Sequence, residues 1–595
     1  MTSTLETAAL IANPLCSVDI YPFEGGAYTL TGAQVLQCQT SKSLQDNGGS
    51  ASIILAPGGP NGQGFPSWAQ VVTLQSLVIV AMQRGSESNV VFVGVVKEVG
   101  ESEDWETGAG VSRNTEITAQ DWGAWFSDFN WSPLTYLAVT NGLALATITG
   151  SPTDIGLPET QLGLQSSDPA QIAYGWYTAI MGGASGILSD TLVNYGGQIY
   201  KWPATTTAFF ETYPFGAVWP GSNFFISQAG DWYSKFSEIL ENPYYELIVG
   251  TSPYGTWNPT VQVSQLAAHQ GTTTATSTYG SVTGQVTLNN GGTAWQSPGI
   301  PFTSRGLPNA VPAYSQIVGR VNPLPDLLVS ATADQASVGL QGQAAYTYTG
   351  VNMARWNSLP GFTLDPNAGF SISSTSLSIQ DYFNFFVLNP TAIKQVWGVS
   401  NSAGVFLYAY SGAANVAGIH RYGFKSMVRD TNWLVDSSYQ ISQNVDGLTA
   451  VGNLVGALTN RLASYYTPLP IMQTANGVSF RLSPSIFVGT TFTYSPFRGD
   501  VPWTFYVTTV QHTWKFGGPS ITSLSLERGL PAPVYQNPTT MQQVLTGNAM
   551  RVSGFVVSGL PANLGPPLQT FGLAPANMTT ILGEIAGVYK TPGAQ

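Results

Sequence analysis

The sequence predicts a mainly β protein with α+β insertions. Three observations predict it. Short apolar–polar runs, bounded by Gly, Asn, Asp and Ser, recur near residues 17–120 and again near 371–531. Helical spacing occurs at only a few sites, two of them between those regions. At 595 residues the chain has room for several packed units, since a domain takes roughly 100–200 residues. The expected organisation is a first β domain over 1–130, an α+β middle domain over 131–370, a second β domain over 371–531 and an extended arm over 532–595.

The first region opens with two short strands, Val35 to Gln39 and Ser52 to Leu55. Asp46-Asn47-Gly48-Gly49 turns between them, because Gly and Asn tolerate positive φ. Leu77 to Met82 and Val90 to Val96 form a second pair across Arg84-Gly85-Ser86-Glu87-Ser88-Asn89. Several short strands spaced by turns indicate a small antiparallel barrel or sandwich. The acidic cluster Glu101, Glu103, Asp104 and Glu106 lies among Gly, Ser and Thr and is expected in a solvated hairpin loop. Asn114 to Ala119 returns as a strand, and Gln120 to Phe126 turns into a helix.

In the middle region, Asp168-Pro169-Ala170 is a favourable helix entry for 168–182. Trp232, Phe236 and Leu240 recur every four residues, one face of a helix from Asp231 to Leu240. Asn242-Pro243 stops it, and Tyr244 to Val249 follows as a strand. Residues 252–345, rich in Thr, Ser, Gly and Pro, are expected to be an elaborated loop or β insertion. Leu448, Val451, Leu454, Leu458 and Leu462 predict a helix that Asp446 can cap and Pro468 ends. Strands follow at Val478 to Leu482, Thr490 to Tyr494, Thr504 to Gln511 and Ile521 to Leu526. After Pro531 only Arg551, Glu584 and Lys590 carry charge, and the Pro, Gly and Asn content suits an arm lying on a partner.

Charged residues make up 9% of the chain, against about 25% in ordinary soluble domains. Neutral polar residues fill the gap. Such a surface is suited to being covered by neighbours, because burying an unpaired charge is costly. Net charge is −12 and there is no Lys/Arg-rich run, which argues against a free nucleic-acid binder. Cys16 and Cys38 are too few for a disulfide framework and are expected to be buried thiols in a reducing compartment. Met1-Thr2-Ser3-Thr4-Leu5-Glu6 carries no charged segment leading into an apolar one, so no signal peptide is expected. No apolar stretch of about 18 residues occurs, so stable membrane insertion is not expected.

No catalytic, cofactor-binding or metal-binding residues are assigned. His269, His420 and His512 are the three histidines, and a lone His is usually structural. The sequence has no H-E-x-x-H, C-x-x-C, P-loop or G-x-S-x-G pattern. Gly58-Gly59-Pro60-Asn61-Gly62-Gln63-Gly64 lacks a Lys and opens no apolar helix, so it is a loop rather than a phosphate cradle. No pair of carboxylates stands out for glycoside hydrolysis.

Four stretches resemble the tail hub proteins of contractile and related phage tails. The first lies in Trp68 to Val96, with Ser76-Leu77-Val78-Ile79-Val80-Ala81-Met82-Gln83-Arg84, then Val93 to Val99 and Ile117 to Gly123. The second is Arg355-Trp356-Asn357-Ser358-Leu359-Pro360. The third is Asn384-Phe385-Phe386-Val387 with His420-Arg421-Tyr422-Gly423-Phe424-Lys425 downstream. The fourth runs from Phe505 to Trp514 through Phe516-Gly517-Gly518 to Ser523-Leu524-Ser525-Leu526-Glu527-Arg528-Gly529-Leu530-Pro531. The resemblance covers residues 17–531 by order and spacing. The insertion at 252–345 and the arm at 532–595 have no counterpart in it.

The resemblance implies two tail-tube-like antiparallel β-barrels per chain and a homotrimer presenting six barrels. Such a ring would join a hexameric tail tube protein to a trimeric central spike protein, with other baseplate proteins around it. It implies a structural virion component of the tail baseplate, assembled in the host cytoplasm, whose channel passes phage DNA at ejection without specific binding. It transfers no catalytic set, and His512 and Trp514 become packing residues. Two alternatives stay open from the residues: a tail-tip protein with an unrecognised cell-wall hydrolase activity, and a secreted β-rich carbohydrate-binding protein.

Overall fold

The computed structural model describes residues 14–22, 28–60, 67–84, 87–106, 110–121, 123–128 and 130–131 of the first region. Further on it describes 230–251, 315–331, 346–364, 370–392, 416–435, 460–495 and 501–545. Shorter pieces lie at 173, 192–195, 198–201, 207–211, 273–279, 282–288, 295–296, 413–414, 458, 549–553, 556–559 and 570–571.

The fold is mainly β, built around one 14-stranded sheet. Seven strands come from the first region: β1 (Leu15–Tyr21), β2 (Tyr28–Thr31), β3 (Val35–Ser43), β4 (Ser50–Leu55), β5 (Leu77–Arg84), β6 (Glu87–Glu106) and β7 (Gly110–Asp121). Seven come from beyond residue 360: β8 (Gly361–Thr363), β9 (Phe370–Ser371), β10 (Ser374–Ser376), β11 (Gln473–Arg481), β12 (Thr491–Tyr494), β13 (Trp503–Lys515) and β14 (Ile521–Pro531). The order is β2-β1-β5-β6-β7-β4-β3-β13-β14-β11-β9, with β10 also on β11 and β12 also on β13. Pairing is antiparallel except between β8 and β12.

The N-terminal arc curls round on itself. Its end strands β2 and β3 are consecutive in the chain, joined by the single 3₁₀ turn Gly32–Gln34. All seven strands feed one core, from Val18 and Leu30 through Val80, Phe92 and Ile117 to Ile53 and Cys38. Residues alternate across a strand, so Val78, Val80 and Met82 of β5 enter that core. Leu77, Ile79 and Ala81 on its other face are buried too, which explains the unbroken apolar run in the sequence. Cys16 and Cys38 are both buried free thiols.

The two strand-rich regions are stitched along β13. One edge of this 13-residue strand is shared. Trp503 to Tyr506 pair with β12, and Thr509 to Lys515 pair with β3. Between them the Leu44 amide donates to the Thr508 carbonyl and the Val507 amide to the Thr490 carbonyl, so the shared edge stays bonded at the changeover. A second core gathers Val478, Phe480, Phe492, Phe505, Val510, Leu524 and Leu526, with Ile248 and Val318 from the middle region.

Several elements match their sequence signals. Helix Trp232–Ile239 is capped by Asp231, whose carboxylate accepts from the Ser234 amide at 2.9 Å. Phe236 and Leu240 are buried, as the four-residue spacing requires. Residues 460–466 are helical, and Leu458 and Leu462 are buried. The start of that helix lies outside the described residues, as does all of 168–182 except Ala173.

Three expectations need correction. The acidic cluster is not in a loop: β6 runs through Glu106, and Glu103 pairs in register with Arg113 of β7, at 2.8 Å. Cross-strand pairing of opposite charges gives these polar residues a strand role despite weak propensity. The 252–345 segment is not only an insertion. Its strand Ser315–Val321 lies between Tyr245–Thr251 and Thr207–Phe210, because Ile317 and Val318 are buried there. The chain after Pro531 begins as two packed helices, Ala532–Gln536 and Pro538–Leu545, rather than as an arm. Val534, Tyr535, Met541, Val544 and Leu545 are buried, and Tyr535 stacks on Trp356 with centroids 4.3 Å apart.

Candidate functional site at the junction

Where the regions meet, the chain builds a buried polar network. Arg320, on Ser315–Val321, sends Nε to Glu246 at 3.0 Å and Nη2 to the Gly489 carbonyl and the Tyr506 hydroxyl, both at 2.8 Å. The Tyr506 hydroxyl donates to Glu246 at 2.6–2.7 Å. Burial pushes the Tyr506 phenol well above its ordinary value, with Arg320 opposing, so it stays a donor. Burial works against the Arg320 charge, but Tyr506 and Glu246 outweigh it and raise its pKa further. Glu246 and Arg320 face each other on paired strands of the middle region, and Tyr506 joins them from β13, locking that region onto it.

Lys42, on β3, is buried and donates to the Val249 carbonyl, tying the first region to the middle. Burial lowers its pKa, with Asp121 and Asp46 opposing. Asn89 donates to Ser485 Oγ at 2.7 Å, and Arg84 to the Leu482 carbonyl at 3.3 Å. Beside this network lies a cleft of about 510 Å³. All three regions line it: Ser43 and Gln45, Tyr233 and Glu246, and Thr509, Ser525 and Glu527.

The inward face of β13 serves both cores in turn. Val510 enters the second core and Trp514 the first. His512 lies between them, 5% exposed, with Nδ1 3.0 Å from Thr522 Oγ1. Trp514 donates its indole N–H to the Pro14 carbonyl at 2.9 Å. Burial lowers the His512 pKa to about 4, against the 6.5 of a free imidazole. The unfolded chain therefore takes up a proton first as pH falls. His512 contributes its full stability above about pH 6.5 and loses it progressively down to about pH 4, on the order of 3 kcal/mol in all. Urea midpoints at pH 7.5 and pH 5 should separate in the wild type and separate less in His512→Gln. An equal drop in both proteins would remove His512 as the cause.

The structure also explains residues singled out by the sequence. Arg528 adopts a positive φ of 59° at a break in the β13–β14 ladder, donates to the Tyr465 carbonyl at 2.7 Å and lies 3.9 Å over the Tyr465 ring. Gly529 follows because the Phe505 ring lies against it; a Cβ there would come within 2.0 Å of that ring. Asn384 joins both halves of its stretch: its amide donates to the Gly423 carbonyl at 2.7 Å and accepts from the Lys425 amide at 2.8 Å. Gly423 ends helix Val416–Tyr422 with φ 79°, the left-handed stop that glycine permits. Arg355 pairs with Glu211. His269 and the His420 side chain lie outside the described residues. Among the described residues no cluster of His, Cys, Asp and Glu could hold a metal, and no helix is long and apolar enough to cross a membrane.

The sequence did not single out Lys42, Glu246, Arg320 or Tyr506. One signal was available: in a chain with only 20 Lys and Arg, a cation inside the apolar run Ile317-Val318-Gly319-Arg320-Val321 asks for a buried partner.

No family model matches the sequence, and no curated protein matches it. Solved structures with a similar chain path include a tail protein from Neisseria meningitidis MC58, 7% identical, TM-score 0.38, covering 87% of this chain and 96% of that one. The 43 kDa tail protein of prophage MuSo2 from Shewanella oneidensis is 8% identical, TM-score 0.35, over 86% and 98% of the two chains. A type VI secretion component of E. coli, described as structurally similar to the T4 tail proteins gp27 and gp5, is 7% identical, TM-score 0.30, over 84% and 73%.

Proposed function

We propose that this chain is the structural baseplate hub of a phage tail. It would form a homotrimeric ring between the hexameric tail tube protein and the trimeric central spike protein, contacting other baseplate proteins. One observation carries the proposal. The stretch that most resembles the hub family, Phe505 to Pro531, is the seam of a single sheet that unites the two strand-rich regions. In this reading each region is one tube-like barrel, and two barrels per chain let three chains meet six-fold symmetry on one face. The 9% charge content supports a surface covered by neighbours. With 20 Lys and Arg against 32 Asp and Glu, few cations exist to retard a duplex in the channel. The role is structural rather than catalytic.

Electron microscopy of intact tails, labelled with antibody to this chain, tests the proposal. The expected result is label at the baseplate end and three copies per ring around an open channel. Absence from the tail, six copies per ring, or a channel wall rich in Lys and Arg would overturn it.

A further inference from the structure

We infer that the junction cleft is a binding site for a short neutral saccharide. Its volume of about 510 Å³ falls in the ~300–1,000 Å³ span of small-molecule sites. The floor is the outward face of β13 and β14, where register sets Thr509 opposite Ser525 and Tyr506 opposite Glu527. Asn476 of β11 continues the lining, and Tyr233 and Tyr465, both half-buried, stand in the walls.

The charges in the lining decide the ligand class. Glu246 is engaged by Arg320 and Tyr506. Arg528 is directed onto Tyr465, both its carbonyl and its ring. The Glu527 carboxylate lines the cleft with no hydrogen-bond or ion-pair partner among the described residues. An anionic ligand would meet that carboxylate and find Arg528 already committed. An apolar ligand would leave the hydroxyls, amide and carboxylate of the floor unpaired, which is costly. A ligand dense in hydroxyls satisfies both kinds of group, because each hydroxyl donates and accepts. The C–H faces of a pyranose ring also suit the tyrosine rings, which offer an apolar body with a polar tip. This site is independent of the hub proposal, since it lies within one chain.

The test uses the full-length chain with triacetylchitotriose and maltotriose as probes, followed by titration calorimetry. One probe should bind saturably, once per chain. Glu527→Gln, close in shape to the native residue, should weaken it about tenfold or more, the loss of a charge-assisted hydrogen bond. Ser525→Trp, which fills the floor, should abolish it. Unchanged thermal melting of Glu527→Gln would show that its loss is local, and that variant alone decides should Ser525→Trp fail to fold. Absence of saturable binding by both probes would overturn the proposal, as would binding that Glu527→Gln leaves unchanged. Tighter binding of tetraalanine than of either sugar, lost in the same variant, would assign the cleft to peptides and overturn it as well.

Discussion

Alanine at position 320 is expected to cost about 3–5 kcal/mol of stability, because it removes one partner of a buried ion pair and leaves the other charge unpaired. The Arg320 side chain is 4% exposed and that of Glu246 12%, so water cannot replace the lost partner in place. The Gly489 carbonyl loses its donor in the same step. Arg320→Ala with Glu246→Leu should cost less than Arg320→Ala alone, since no charge is then stranded. Tyr506→Phe should be milder, about 1–3 kcal/mol, because the hydroxyl it removes bonds both Arg320 and Glu246 but leaves that ion pair intact. Members of one network are not additive, so Arg320→Ala with Tyr506→Phe should fall short of the sum of the two. Urea unfolding of the full-length chain, followed by tryptophan fluorescence, measures all four. A loss under about 1 kcal/mol for Arg320→Ala would mean that the network is dispensable and the regions are held by their apolar contacts.

Local chemistry was legible in the sequence where one strand or one helix decides it. Asp231 caps its helix as the spacing of Trp232, Phe236 and Leu240 suggests, and Asp46-Asn47-Gly48-Gly49 turns β3 into β4. The seam was not legible. Nothing in Gln37 to Ser43 names Thr509 to Lys515 as its partner, because sheet pairing across such a separation is set by tertiary packing and not by local pattern. The Arg320 network was hidden for the same reason: its members lie on strands whose pairing must be known first. The place of strand Ser315–Val321 in a sheet of the middle region was obscured by composition, since the Thr, Ser and Gly around it suggest a loop or a β insertion. The exposed hairpin of β6 and β7 misled in the opposite direction. Its acids suggest a turn in solvent; Glu101 and Glu103 are exposed, but on a paired ladder rather than a turn.

Trp514→Ala is expected to loosen the first region selectively while costing about 3–5 kcal/mol overall, the usual range for removing a buried tryptophan. The indole is 3% exposed and packs in the N-terminal core although it is carried by a strand from the other half of the chain. Its loss leaves a cavity among residues of β1 and β3 and deprives the Pro14 carbonyl of its donor. The second core keeps Val510, Phe505 and Leu524 in place. Hydrogen exchange should therefore rise first in β1 and β3, while the amides between β11 and β14 stay protected. Trp514→Phe restores an aromatic ring but no N–H, so it should recover most of the stability and leave faster exchange near residue 15. Loss of protection at the same rate in β1 and in β11 would show that the sheet opens as one unit, and that Trp514 stabilises the whole seam rather than the first core.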